Sequence, residues 1–329
     1  MERRFYVAGY VGEGARRMLL DLSQMKNMVL LDKVIANKPV RVLYYRISAW
    51  TKQFERFAFL KKLFYPWYTV LQIKPCPEKE NCILFFNSGF CRELDLTVIQ
   101  RLKKRDPKAK LILYMVDPMV GFDSEEHWQV IKQMDHVYSI NKADCEKYGF
   151  LYYPLIYSVG GEAVCASEEA KTDLYYLGSG NDRDEALSCI YKKCEKAGIT
   201  TDFHVLGEEN RKCAGITFHQ EPLSYEENLL HLLKARAILE VMHKDFDNPT
   251  QRYCEAVVYN KRLLTNNGRT KSFAFYDPRY MQVFEKMEDL DLDFLTQQEK
   301  ADYGYQGEFS PCLFIQEINS RLDAPGERE

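Results

Sequence analysis

The residues best placed to do chemistry in this chain fall between positions 237 and 267. The run Ala-Ile-Leu-Glu-Val-Met beginning at Ala237 is apolar enough for a buried strand. After a loop come Thr250, Gln251, Arg252 and Glu255, which read as the opening of a helix, and then Lys261-Arg-Leu-Leu-Thr265 leads into Asn266 and Asn267 as a second buried strand with a small polar end. In α/β sheets, ligands collect outside the carboxyl ends of strands, where helix N-termini offer N–H groups and partial positive charge to phosphates. The guest this pattern suits is a nucleotide.

Those residues need a scaffold, and composition bounds it. At 329 residues the chain exceeds the usual range of one hydrophobic core, so two domains are expected. With 46% hydrophobic and 28% charged residues it belongs with globular chains rather than disordered ones. A formal net charge of -3 gives no long-range attraction to nucleic acid, and no nucleic-acid partner is expected. No apolar run is long enough to cross a bilayer, and the start Met1-Glu-Arg-Arg-Phe-Tyr-Val lacks the apolar region of a secretory signal, so a cytoplasmic location is expected. The 10 cysteines form no C-x-x-C pair, the closest being Cys76/Cys82 and Cys189/Cys194; reduced thiols and no structural metal are expected.

Apolar strand-like runs alternate with helical patterns along both halves, the signature of layered α/β folds with parallel sheets. The first half offers strands at 5–9, 40–44, 83–86, 111–116 and 136–140, with a helix at 94–104 whose Leu94, Val98 and Leu102 share a face. The second half restarts with a strand at 173–177, the turn Gly178-Ser179-Gly180 and a helix at 184–197. Strands follow at 201–206, 216–218, 237–241 and 262–265, with a helix at 225–234. The glycine-bearing and then charged stretch 159–171 separates the two series, so the expected domains are 1–160 and 161–308. A closing segment, 309–329, carries Leu313, Ile315, Ile318 and Leu322 at helical spacing and could pack back on the first domain.

Thr250-Gln-Arg252-Tyr-Cys-Glu255-Ala256 together with Lys261-Arg-Leu-Leu-Thr265-Asn-Asn267 resembles the donor half of bacterial glycosyltransferases of the lipopolysaccharide and capsular polysaccharide group. That group pairs a Thr-x-Arg-x-x-Glu-Ala helix start with a Lys-Lys-Leu-Ile-Thr-Thr-Asn strand. More weakly, 139–154 looks like the end of the group's first domain and 173–180 like the glycine turn of its second; positions 1–75 lie outside the likeness. The resemblance implies an α/β fold of two Rossmann-like domains facing a cleft, the GT-B architecture. It also implies a nucleotide-sugar donor, a glycan or lipid-linked acceptor, and no cofactor or metal.

On that resemblance, Glu255 would accept hydrogen bonds from ribose hydroxyls, and Thr250 with the N–H groups around Gln251 would hold the diphosphate. Arg252 would offset charge developing on the leaving nucleotide, and Gly178, Ser179 and Gly180 would let the backbone approach phosphate, with Arg183 beside them. Plainer readings stand next to these: Glu255 as a helix-start acid, Thr250 as an N-cap, and Arg252 in a salt bridge. Asp247 stands eight positions before Glu255 like the first acid of a retaining pair, and the Asp289-Leu-Asp-Leu-Asp293 alternation superficially suggests a metal-binding pair but reads as solvated.

A general base for an inverting reaction would come from the first domain. Asp117 leads the candidates, with Asp123, Glu125 and Glu13 behind it, all of them turn or cap residues by type, while His127 and His136 stand without sequence partners. Residues 44–68 interleave aromatics with Arg46, Lys52, Arg56, Lys61 and Lys62, a mixture that suits both a core and the headgroup region of an anionic membrane on which the protein would sit peripherally. Two rival functions share the expected fold: a sugar-nucleotide epimerase, and a nucleotide- or glycan-binding module without catalysis.

Overall fold

The structure, a computed structural model, describes residues 2–10, 15–16, 18–87, 94–159, 170–179, 183–207, 214–242, 248–286, 289–297 and 299–324. The chain divides into two compact units, one of Met1–Ser158 with Pro311–Glu329 and the other of Val159–Ser310. The first unit opens with β1 (Arg3–Ala8) and β2 (Met28–Leu30), followed by α1 (Lys38–Gln53) and a 3-10 stretch, Glu55–Trp67. It continues through β3 (Glu80–Phe86), α2 (Leu96–Arg105), β4 (Lys110–Met115), α3 (Glu125–Ile131), β5 (His136–Ser139), α4 (Lys142–Tyr148) and β6 (Leu151–Tyr152). All six strands pair in parallel, in the order β2-β1-β3-β4-β5-β6.

Strands covered on both faces must be apolar throughout, and β3 and β4 are buried along nearly their whole length. Helix α2 starts where Asp95 accepts a hydrogen bond from the Val98 N–H at 2.9 Å and ends in Lys103, Lys104 and Arg105, both ends complementing the helix dipole. Its Val98, Ile99 and Leu102 join the core under the sheet. Residues 40–44, which alternate like a strand, instead lie inside α1. Asn37 caps that helix by accepting from the Val40 N–H at 3.1 Å, and Pro39 fits its first turn, so local capping overrides the apparent period of two.

The second unit runs β7 (Thr172–Ser179), α5 (Asp184–Lys196), β8 (Thr201–Leu206), β9 (Ile216–His219), α6 (Tyr225–Leu233), β10 (Ala235–Glu240), α7 (Gln251–Val258), β11 (Arg262–Thr265), β12 (Met281–Val283) and α8 (Asp293–Thr296). Its six parallel strands take the order β12-β11-β10-β7-β8-β9, the doubly wound arrangement in which direction reverses between the first and fourth strands of the unit. A full capping box starts α6: Ser224 accepts from the Glu227 N–H at 3.2 Å while Glu227 accepts from the Ser224 N–H at 2.8 Å.

The last helix, α9 (Pro311–Asp323), belongs to the first unit. Phe314 is fully buried among the rings of Tyr114, Tyr138 and Tyr153, at centroid distances of 4.7, 5.1 and 4.3 Å. At its other end Arg3 of β1 donates to Asp323 at 2.8 Å and to the Asn319 side chain at 3.2 Å while also pairing with Glu80 at 2.7 Å. No helix among the described residues is long and apolar enough to cross a membrane.

Candidate functional site

The reversal of strand order between β7 and β10 is where a doubly wound sheet opens a crevice at its carboxyl edge. β10 ends there at Glu240, and α7 begins at Gln251. Thr250 has extended backbone and caps α7: its Oγ1 accepts from the N–H groups of Arg252 at 3.1 Å and Tyr253 at 3.3 Å. The same hydroxyl donates to Glu240, and Thr265, the register partner of Glu240 on β11, donates to that carboxylate's other oxygen. Burial pushes the Glu240 pKa up, while the two threonines and the charge of Arg252 pull against it.

Arg252, in the first turn of α7, and Glu255, three residues on, share a helix face. Arg252 Nη1 donates to Glu255 and, at 3.1 Å, to Asn228 Oδ1; Asn228 Nδ2 donates to Glu255 at 3.3 Å, and the Tyr175 hydroxyl donates to Asn228 Oδ1 at 2.9 Å. The Glu255 side chain is 1% exposed and that of Arg252 17%. Burial raises the Glu255 pKa, opposed by the Arg252 charge and by the hydrogen bonds from Asn228 and Arg252. Thr250 is therefore an N-cap and Arg252 is in a salt bridge. The ribose-binding carboxylate expected at Glu255 is closed from solvent and already held by two donors.

The remaining candidates of this unit are more scattered. Gly178 sits in β7 where an added Cβ would overlap the Tyr176 hydroxyl unless that ring moved. Ser179 is exposed at the end of the strand, whereas Gly180 and Asp247 lie outside the described residues. Gln251 occupies the first position of α7, half-buried, and Arg183 precedes α5 without a side-chain capping bond. Asp289 and Asp291 accept from the N–H groups of Lys286 and Asp293 at 3.0 and 2.9 Å, and Asp293 opens α8, so these acids serve their own turns.

In the first unit, Asp117 follows β4, and burial raises its pKa against a hydrogen bond from Asn87, the direction a general base at neutral pH needs. Asp123 accepts from the Trp128 indole N–H at 2.7 Å and Glu125 lies in the first turn of α3, both structural placements. His127 contacts the Phe122 carbonyl at 3.0 Å, and His136 is a half-buried β5 residue whose pKa burial lowers. Glu13 lies outside the described residues.

Segment 44–68 resolves into two sets. Tyr44, Phe64, Tyr65 and Tyr68 are core, with Tyr68 donating to Tyr44 at 2.9 Å and Tyr65 donating to Asp95. Tyr45, Trp50, Phe54, Phe59, Leu63 and Trp67 are exposed, Leu63 by 63%. Next to them a cavity of about 570 Å³ is lined by Tyr65, Pro66 and Gln72 and by the cations Lys74, Arg101 and Arg105.

Sequence reasoning assigned nothing to Glu240, Asn228 or Tyr175. Glu240 had a signal: a single carboxylate inside an apolar strand must find donors when buried. Asn228 and Tyr175 meet Arg252 only through tertiary folding.

No family model matches the chain, and no curated protein matches it by sequence. Solved structures do. A Listeria monocytogenes protein assigned as a UDP-N-acetylglucosamine 2-epimerase aligns over 99% of this chain and 98% of its own at TM-score 0.52 and 10% identity. An α-glucosyltransferase bound to UDP and a 13-mer DNA aligns over 98% and 99% at TM-score 0.51 and 11% identity. The fold is of the GT-B type. The UDP-N-acetylglucosamine 2-epimerase of Rickettsia bellii also aligns, over 98% and 97%, at TM-score 0.50 and 10% identity. At such identities the likeness concerns the fold of this GT-B chain and not its chemistry.

Proposed function

We propose that this chain is a glycosyltransferase of cell-surface polysaccharide assembly that moves a sugar from a nucleotide donor to a glycan or lipid-linked acceptor. The observation that carries the reading is the start of α7: a capped helix N-terminus immediately after the strand-order reversal, with Arg252 anchored one turn in by a buried carboxylate. A helix N-terminus and an arginine answer the charge of a diphosphate. Donor arrival exchanges partners: Arg252 turns to the diphosphate, and ribose hydroxyls donate to Glu255 in its place, so the cation keeps an anionic partner and the carboxylate keeps hydrogen-bond donors. The diphosphate charge is then met by Arg252 and the helix rather than by a metal ion.

The exposed aromatics between Tyr45 and Trp67, with Lys61 and Lys62, support peripheral seating on an anionic membrane at the cytoplasmic side. The adjoining cavity with Lys74, Arg101 and Arg105 suits the phosphate of a lipid-linked acceptor. Asp117 is the proposed base if the transfer inverts.

The second reading, an epimerase, draws support from the two epimerases that share the fold. Incubation with UDP-N-acetylglucosamine, with and without glycan acceptors, separates them by following UDP release and the sugar product. Release that depends on acceptor supports transfer, and release without acceptor accompanied by inversion at a sugar carbon supports the epimerase. UDP binding without turnover across acceptors supports a binding module. Glu255→Ala is expected to weaken UDP binding at least tenfold; unchanged affinity removes the ribose assignment.

A further inference from the structure

Away from α7, the second unit gathers a second set of polar side chains. Asp202 and His204 stand two apart on β8 and so share a face of the sheet, and His231 approaches that face from α6. Asp202 Oδ1 lies 2.8 Å from His204 Nε2, and its Oδ2 lies 2.6 Å from His231 Nδ1. One ligand atom from each of the three side chains lies within 4.8 Å of the others. Behind them, His204 Nδ1 lies 2.8 Å from Nε2 of His219 at the end of β9.

We infer that Asp202, His204 and His231 form a binding site for a divalent transition-metal ion of the zinc class. The donor set, two imidazoles and a carboxylate, is the one such ions take, and tetrahedral donors ~2.0–2.1 Å from zinc lie about 3.3 Å apart. The Asp202 contacts need to open by roughly half an ångström to admit the ion. Access exists on one side, since the His231 and Asp202 side chains are 39% and 29% exposed while His204, at 9%, forms the floor. A fourth position facing solvent is left for water.

His219 is the supporting residue. With one proton per ring, His204 in the metal-free cluster spends its Nε2 proton on Asp202, and the proton in the His204–His219 contact then comes from His219 Nε2. With the ion on His204 Nε2, the His204 proton sits on Nδ1 and is donated to His219 Nε2, whose own proton moves to Nδ1. His231 shifts its proton from Nδ1 to Nε2. Counted with one proton per ring before and after, no net proton is lost, and the hydrogen bond that orients a ligating histidine survives with its direction reversed. The site also reaches the α7 network: the His231 ring stacks on Tyr175 at 5.9 Å and 10°, and Tyr175 donates to Asn228. The ion would fasten α6, which carries Asn228, to β8.

The chelator-treated 329-residue chain titrated with Co²⁺ at pH 7.5 tests this. The expected result is saturation of visible d–d absorption at one ion per chain, displaced by Zn²⁺, and absent from Asp202→Ala and from His231→Ala. The partly exposed His231 makes its variant the safer one for folding, checked by circular dichroism. His219→Ala is expected to retain the bands with affinity lowered about 10–100-fold. Lack of saturable one-to-one binding by the wild-type chain, or bands that persist in folded His231→Ala, overturns the assignment and leaves a hydrogen-bonded cluster only.

Discussion

Replacing Arg252 by methionine isolates the electrostatic claim at the centre of the site. Methionine keeps an unbranched apolar stem and a good helix propensity, so the change is chiefly the loss of charge. Glu255, 1% exposed, is then left with Asn228 as its remaining side-chain donor among those described. It must stay ionised in an apolar surrounding or take up a proton, and the second option sets the ceiling on the damage. From the ordinary carboxyl value of 4.5 to pH 7 is about 2.5 pH units, or ~3.4 kcal/mol at 1.36 kcal/mol each.

At pH 5 the same ceiling is only ~0.7 kcal/mol. Breaking a buried ion pair costs ~3–5 kcal/mol where no proton can intervene, and because burial already raises the Glu255 pKa in the wild type, part of the ceiling is present before the change. The sign is fixed by linkage: with the folded-state pKa raised, stability is fully present below the unfolded value and is lost as pH rises through the folded one. Arg252→Met should therefore lose at most ~3 kcal/mol at pH 7 and under ~1 kcal/mol at pH 5, and adding Glu255→Gln should flatten that dependence. The tryptophans, Trp50, Trp67 and Trp128, all lie in the first unit, so indole fluorescence does not report directly on α7. Amide exchange in β10 and β11, read by mass spectrometry against wild type at each pH, reports it. A loss equal at both pH values, or one that Glu255→Gln leaves intact, refutes the reasoning.

Two further outcomes follow from burial elsewhere. Phe314→Ala removes a fully buried ring from among three tyrosines and should cost ~3–5 kcal/mol, seen in the tryptophan-monitored urea midpoint of the first unit; a loss below ~1 kcal/mol contradicts the packing described. Lys261 donates to the carbonyls of Leu233 and Ala235 at 2.7 and 2.6 Å, and burial together with the charge of Lys300 lowers its pKa to about 8 from 10.5. Between those values the unfolded chain binds the extra proton, so wild type should gain ~1–2 kcal/mol over Lys261→Met from pH 8 to 10, the full linkage value being reduced by solvent screening. Urea unfolding followed by circular dichroism checks it, and a constant difference across that range contradicts it.

The two-sheet fold was legible because strands buried on both faces tend to be apolar runs between turn residues, as 83–86 and 111–116 are, while 201–206 and 262–265 carry apolar cores, Phe203 with Val205 and Leu263 with Leu264, between polar ends. What escaped has physical causes. The strands β2, β6 and β12 are edge strands of two or three residues, too short to display a period. Residues 40–44 alternate like a strand, but Asn37 and Pro39 commit them to a helix. At α7 the spacing of Arg252 and Glu255 was readable, since three residues apart means one helix face. Their closure from solvent was not, because it depends on Asn228 arriving from α6 and Tyr175 from β7. The Asp202–His204 pair has a local signature in its spacing of two, but His219 and His231 reach it only through the folded sheet.

The route of the chain has a consequence for synthesis. The whole of Val159–Ser310 emerges from the ribosome before α9 does, and α9 supplies Phe314 to the aromatic slot of the opening unit. The later unit can fold while the earlier one still waits for its final helix, leaving Tyr114, Tyr138 and Tyr153 uncovered in the nascent chain. A chain cut ahead of Pro311 would keep those three rings without the Phe314 that covers them.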